Sequence, residues 1–234
     1  SFCEAFVGEG DNVIVSAAEH HSNFVPWQQH CLRKSAQLRF IPVLDDGRLD
    51  IQALESLIDD RTKILAVTQV SNVLGIVNPV DEIVRICHSK GVPVLVDGAQ
   101  GIVHCGIDVR KTDCDFYAFS GHKMYAATGT GVLYGKKEYL EKMPPFLFGG
   151  EMVGNVSLDK TTFAPLPMKF EAGTQNFIGQ TSFIQAIEFM RSLEDEELAA
   201  ECMAVEQAMR NILTENPRIR LYGTAEPKIP VFSF

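Results

Sequence analysis

The tetrapeptide Ser120-Gly121-His122-Lys123 follows directly on the β-type run 114–119, so a hydroxyl, an imidazole and a primary amine gather at one strand end. An amine held in a cleft can attack a carbonyl carbon, and the hydroxyl and imidazole beside it can hydrogen-bond a phosphate. The bland alternatives are a solvated surface lysine and an ordinary turn. A second run, 92–96, leads into Asp97-Gly98-Ala99-Gln100, where Asp97 is either a site carboxylate or a cap or turn residue. A third, Asn12–Ser16, leads into Glu19-His20-His21; adjacent histidines point apart on an extended chain, so one can face a site while the other packs elsewhere. Asn72, in Ser71-Asn72-Val73-Leu74-Gly75 after the run 63–68, is the fourth polar strand-end group, with a plain turn residue as its alternative. A metal site would have to gather His20 or His21, His104, His122, Asp97 and Cys105, but no HxxxH or CxxC spacing links them, and no metal is expected.

Short β-branched or aromatic runs alternate with helical patterns, which predicts an α/β fold with a mostly parallel sheet; ligands of such sheets bind beyond the carboxyl ends of the strands. One crossover helix is well marked: Asn78 as cap, Pro79 at the first helical position, Asp81 and Glu82 in the first turn, Gly91 after Lys90, and Val80, Ile83, Val84 and Cys87 facing inward. Asp50 starts another, burying Ile51, Leu54, Leu57 and Ile58. After Lys142 the prolines and glycines at 144, 145, 149, 150, 165 and 167 predict a long irregular stretch that is functional or covers an interface. Helical spacing resumes near Thr181, and a further helix carries Leu198, Cys202, Val205, Met209 and Ile212 on one face; the domain boundary is expected between the two, near Leu193. Residues 231–234 read as a buried strand, and Ser1 has no Met before it, so a piece of a longer protein is expected.

With 234 residues, 46% of them hydrophobic and 22% charged, the chain has ample material for a packed core. A net charge of -9 argues against nucleic acid and against anionic membrane surfaces. No apolar run approaches the ~18 residues of a membrane span. The first cation is Arg33, so a secretory signal is not expected and the cytoplasm is the expected compartment. Six scattered cysteines without a CxxC suggest reduced, mostly buried thiols.

A lysine for a carbonyl, an aspartate for a ring nitrogen, an imidazole to stack and move protons, and Ser/His for a phosphate are together what holding pyridoxal 5'-phosphate requires. The sequence resembles the fold-type I pyridoxal-phosphate enzymes of aminotransferase class V, and within them the SUF-type cysteine desulfurases. The resemblance runs through Glu19-His20-His21-Ser22-Asn23 with Val25-Pro26-Trp27-Gln28, then Val70-Ser71-Asn72-Val73-Leu74-Gly75, Val96-Asp97-Gly98-Ala99-Gln100, Phe119-Ser120-Gly121-His122-Lys123-Met124-Tyr125 and Phe170-Glu171-Ala172-Gly173-Thr174. It implies a three-layer α/β sandwich, with a cofactor-binding large domain over 1–192 and the start of a smaller C-terminal α+β domain over 193–234. It further implies Lys123 as the Schiff-base lysine, Asp97 on the pyridinium nitrogen, His20 stacked on the ring and acting in proton transfer, and Gln100 at the phenolic oxygen. Asn72 would approach the cofactor's substituents, and Ser120 and His122 would bind the phosphate. Thr174 would reach the phosphate of the other subunit, which implies a homodimer.

The implied reaction converts L-cysteine to L-alanine and leaves sulfur as a persulfide on an enzyme cysteine, which passes it to a sulfur-acceptor protein of iron–sulfur assembly. Selenocysteine lyase, or another class V lyase or epimerase, is the neighbouring activity; a cofactor-free dimerising scaffold is the alternative of another class. The sequence departs from the family pattern at Ala126-Ala127, where Gly-Pro is usual. The family's Gly-Thr-Thr-Glu turn is expected upstream of Ser1, and its substrate-carboxylate arginine and persulfide cysteine downstream of Phe234. None of the six cysteines matches that position, so this stretch alone is not expected to turn over cysteine.

Overall fold

The computed structural model describes residues 1–193 and 196–234. In chain order the elements are α1 (Phe2–Phe6), β1 (Asn12–Ser16), α2 (His21–Lys34), β2 (Gln37–Ile41), α3 (Ile51–Leu57), β3 (Thr62–Thr68), α4 (Val80–Ser89), β4 (Val94–Asp97), α5 (Gly101–His104) and α6 (Val109–Thr112). There follow β5 (Phe116–Ser120), a 3-10 turn Gly121–Met124, β6 (Gly131–Gly135), α7 (Lys137–Lys142), β7 (Val153–Val156), β8 (Thr161–Phe163), a 3-10 turn Met168–Phe170, α8 (Phe177–Ser192) and α9 (Glu196–Glu215).

Six strands form one sheet in the order β2-β1-β3-β4-β5-β6, all parallel except β6, which runs antiparallel to β5. Every residue of β1 is buried, because the period-two alternation feeds two cores. Ile14, Leu65 and Val67 point to the side covered by Leu54 of α3 and by Val80, Ile83, Val84 and Cys87 of α4. Val13, Val15, Ile64 and Ala66 point to the other side, onto Phe2 and Cys3 of α1 and Trp27 and Cys31 of α2. The result is the mostly parallel, three-layer arrangement that the alternating pattern and the resemblance predict. Leu54 has no exposed surface, and truncating it to alanine would cost about 2–5 kcal/mol, since a parallel sheet has no wet face onto which to relax.

Several local expectations are corrected. Asn78 does not cap α4: its side-chain amide donates to the Thr68 carbonyl at 2.8 Å, tying the exit of β3, and Pro79 takes the cap position without a side-chain bond. Asp50 caps α3 as expected, accepting from the Ala53 N–H at 3.1 Å. The irregular stretch after Lys142 contains the β7–β8 hairpin, and α8 begins at Phe177. Residues 231–234 are not a buried strand; Ser233 makes one isolated bridge to Tyr222, and Phe234 is exposed. The apolar stripe of α9 faces outward at Val205, Met209 and Ile212, since periodicity marks a face to be covered without supplying the cover. Four thiols are buried, but Cys105 and Cys202 are exposed. Leu193 closes α8, and residues 194–195, beside the expected domain boundary, lie outside the described residues.

The last residues return to the first half of the chain. The Val77 N–H donates to the Pro227 carbonyl at 2.9 Å and the Ile229 N–H to the Gly75 carbonyl at 2.8 Å. Among the described residues no helix is long and apolar enough to cross a membrane.

Candidate active site

The strand order reverses at β1: the chain steps from β1 outward to β2, then returns to lay β3 on β1's other side. A crevice opens beyond the carboxyl ends of the strands at such a switch point. A cleft of about 570 Å³ lies at the carboxyl ends of β4 and β5, lined by His20 and Trp27 from the α2 region, Asp97 at the end of β4, and Ser120, His122 and Lys123 after β5. Cavities of about 630 Å³ beside Asp59, Lys63 and Pro93, and about 580 Å³ beside Leu49, Asn78 and Glu82, are as large. The first lies at the amino ends of β3 and β4. Size does not choose among them; the convergence of amine, carboxylate, imidazoles and hydroxyl in one cleft does.

His20 stands at the N-cap of α2, and its Nδ1 accepts from the Ser22 N–H at 3.2 Å. That bond makes Nδ1 the acceptor nitrogen of the neutral ring and puts its proton on Nε2. The two histidines do not point apart, because His21 already begins the helix; their ring centroids are 5.9 Å apart, and of the two only His20 is among the residues lining the cleft.

Asp97 is half-buried and pairs in register with Thr68 of β3 and Ala118 of β5. Its Oδ1 accepts the Ala99 N–H at 2.9 Å, so the turn-forming and site readings of this carboxylate coexist. The turn passes over a buried polar pair: the Tyr117 hydroxyl donates to Gln69 Oε1 at 2.6 Å, and Gln69 Nε2 donates to the Gly106 carbonyl at 3.0 Å. A Cβ on Gly98 would lie 1.9 Å from Tyr117 Cζ, and one on Gly101 would lie 1.9 Å from Gln69 Oε1. Both glycines are therefore required by contact rather than by turn conformation.

Lys123 is half-buried in the 3-10 turn that closes at Tyr125, whose φ of 68° is left-handed. Gly121 lets that turn press on Thr130, whose Oγ1 would be 2.4 Å from an added Cβ. At the departure from Gly-Pro, the Ala127 N–H donates to Ser182 Oγ of α8 at 2.8 Å, a bond that a proline cannot make. The loop after Lys123 is thus anchored in a different way.

Of the other expected site residues, Gln100 is half-buried just before α5, and its side chain makes no cap bond. Asn72 is half-buried in the turn after β3, and Thr174 is exposed after Gly173. These three are not among the residues lining the cleft. No group of three His, Cys, Asp or Glu side chains among the described residues is placed to hold a metal.

The family profile of Aminotransferase class-V matches residues 1–234. The chain belongs to the class V aminotransferase family. A class V relative, the cysteine desulfurase of Dickeya dadantii (strain 3937), is 48% identical over 216 residues, which cover 92% of this chain and 52% of the relative. The cysteine desulfurase CsdA of Escherichia coli, solved in its S-sulfonic acid form, superimposes with a TM-score of 0.85 at 41% identity, over 92% of this chain and 54% of that one. The apo cysteine desulfurase of Thermococcus onnurineus NA1 also gives a TM-score of 0.85, at 32% identity, over 95% and 55%. The chain spans about half the length of the class V relatives it matches.

Sequence reasoning did not find Tyr117 and Gln69. The only signal for them is the spacing of Gly98 and Gly101, which marks a close approach without saying of what.

Proposed function

We propose that this chain forms the cofactor-binding part of a pyridoxal-phosphate-dependent cysteine desulfurase, which converts L-cysteine to L-alanine and leaves the sulfur as a persulfide on an enzyme thiol. The observation that carries this reading is the convergence of Lys123, Asp97 and His20 in one strand-end cleft, in a chain nearly half identical to proteins named cysteine desulfurase. The donor set fits the cofactor: a primary amine for its carbonyl, a carboxylate for its ring nitrogen, an imidazole for its ring face, and a hydroxyl with a second imidazole for its phosphate.

Bound there, pyridoxal phosphate supplies an electron sink for the amino acid's α-carbon. Lys123 Nζ would hold the cofactor covalently and, once displaced by the substrate's amine, would be free to carry protons at the substrate carbons. Asp97 would keep a proton on the ring nitrogen. His20, with its N–H on Nε2, would cover the ring face and move protons, its pose set by the Ser22 bond. Ser120 and His122 bind the phosphate, Gln100 the phenolic oxygen, and Asn72 the neighbouring substituents.

Thr174 reaches the phosphate of a second copy, in a homodimer with shared sites. The exposed side chains of Phe146, Leu147 and Phe148 and of Phe177 and Ile178 support such a cover. Delivery of sulfur to an iron–sulfur assembly protein, in the cytoplasm, completes the reading. The domain division at 192/193 is part of it.

The test uses the whole protein with pyridoxal phosphate. A visible absorption band is expected, which borohydride bleaches while fixing mass to Lys123; with L-cysteine, alanine and protein persulfide are expected in equal amounts. Labelling at another lysine would sink the assignment. Turnover of L-selenocysteine alone would move the protein to the selenocysteine lyases, and absence of any band would make it a cofactor-free scaffold.

A further inference from the structure

Behind the cleft, in the crevice between β1 and β3, lies a carboxyl that the reading above leaves without a role. Glu19 Oε1 accepts the Thr68 N–H at 2.8 Å and the Ser16 hydroxyl, and Oε2 accepts the Asn23 side-chain amide at 2.7 Å. Each bond reaches a different part of the site. Thr68 is the register partner of Asp97 on the neighbouring strand. Asn23 is buried in the first turn of α2, three residues after His20, and its Oδ1 accepts the indole N–H of Trp27 at 3.1 Å.

We propose that Glu19 is a positioning residue that locks the His20 end of α2 to the strand ends carrying Asp97, so that one carboxyl sets both the ring-face and the ring-nitrogen contacts of the cofactor. The inference rests on the pyridoxal-phosphate reading of the cleft. The donors show why a carboxyl rather than an amide is needed. An N–H points at each oxygen of Glu19, and when the carboxyl is protonated its O–H can turn to the Ser16 hydroxyl oxygen and leave both N–H groups facing oxygen. A glutamine has one acceptor and would turn its own NH2 against Thr68 or Asn23 in either orientation. Asn23 cannot flip to help, because Trp27 already donates to its oxygen. Desolvation raises the Glu19 carboxyl, the bonds from Ser16, Asn23 and Thr68 lower it in part, and the Asp97 charge raises it slightly; it stands at about 7, within electrical reach of Asp97.

The bonding pattern defines its own rescue. In Glu19→Gln the amide faces Asn23 donor to donor; in the double variant Glu19→Gln/Asn23→Asp the glutamine NH2 donates to the new carboxylate, Thr68 still meets an oxygen, and Trp27 keeps its acceptor. Titration of the whole apoprotein with pyridoxal phosphate gives the cofactor Kd, and circular dichroism in the visible band of the bound cofactor reports the pose of its ring. Glu19→Gln is expected to weaken binding about tenfold, as one mismatched buried hydrogen bond does, and to change the amplitude of the visible circular dichroism. The double variant is expected to restore both to within about threefold. A wild-type band with Glu19→Gln unchanged in both readouts overturns this inference alone, as does a folded double variant that recovers neither. A wild type without any band overturns the cofactor reading itself, and this inference with it. Should Glu19→Gln not fold, the double variant decides.

Discussion

The hydroxyl of Tyr117 donates to the side-chain carbonyl of Gln69 at 2.6 Å, directly under the turn that presents Asp97. Gln69 also gives its backbone N–H to the Asp97 carbonyl at 2.9 Å, so the pair holds the turn from below and from the side. Tyr117→Phe leaves Gln69 Oε1 buried without a donor and should cost roughly 1–3 kcal/mol, a fall of several degrees in Tm by thermal denaturation. Gly98→Ala should cost at least as much, because its methyl would meet Tyr117 Cζ at 1.9 Å. Since Tyr117→Phe keeps the ring, it should not rescue Gly98→Ala. A stable double variant would show that the turn is not held by this contact.

Glu19 predicts a pH dependence with a definite sign. Its carboxyl is raised from 4.5 to about 7, chiefly by burial. Between those values the folded protein holds a proton that the unfolded chain has released, so stability is full below pH 4.5 and falls as pH rises through 7. The loss from this group is about 3 kcal/mol. Urea unfolding of the apoprotein at pH 5 and pH 8, with and without Glu19→Gln, checks it. A slope that Glu19→Gln leaves unchanged would assign the effect elsewhere.

Asp97→Ala should leave the fold in place, since it removes one bond to the Ala99 N–H, about 1 kcal/mol. Turnover of cysteine by the whole protein should fall by about 10²-fold or more, in line with loss of a group that acts on the reacting centre. Far-UV circular dichroism paired with alanine release separates the two effects. Normal turnover would mean that the ring nitrogen has another partner.

Iodoacetamide at pH 8 should modify Cys202 and, more slowly, Cys105, whose exposed thiol is itself raised by partial burial, and should spare the other four thiols in the native protein. Cys3, Cys31, Cys87 and Cys114 are buried. Desolvation raises Cys31 and pushes Cys3 and Cys114 up to about 11 and Cys87 to about 12. Peptide mapping reads the pattern directly, and labelling of Cys87 without denaturant would contradict the packing of α4 on the sheet.

The strand ends were legible because short β-branched runs announce themselves and α/β sheets gather ligands at one edge; that is enough to bring Lys123, Asp97, Ser120 and His20 together on paper. What supports them was not. Asn78 looks like a helix cap in any sequence, and only the folded chain shows it turned toward Thr68. Tyr117 reads as one more aromatic in a strand, although its hydroxyl is the feature that matters. Glu19 stood in plain view beside His20, but a carboxylate's worth depends on which N–H groups reach it, and those come from Thr68 and Asn23 on separate elements. The stripe on α9 and the tail at 231–234 misled for a common reason: apolar pattern records a surface to be covered, and covering depends on neighbours that local sequence does not name.

The return of residues 227–233 to the turn after β3 bears on the order of assembly. The Ser233 hydroxyl donates to the Val73 carbonyl across a separation of 160 residues, beside the Ile229 bond to Gly75. Contacts so distant in sequence form late, because a long loop must close before they return anything. During synthesis the parallel strands and the cleft between Asp97 and Lys123 can therefore assemble while the turn bearing Asn72 is still open. That turn has local bonds from Ser71 of its own, but its braces from Ile229 and Ser233 come only when the ribosome has delivered those residues, so an early stop there would leave it without them.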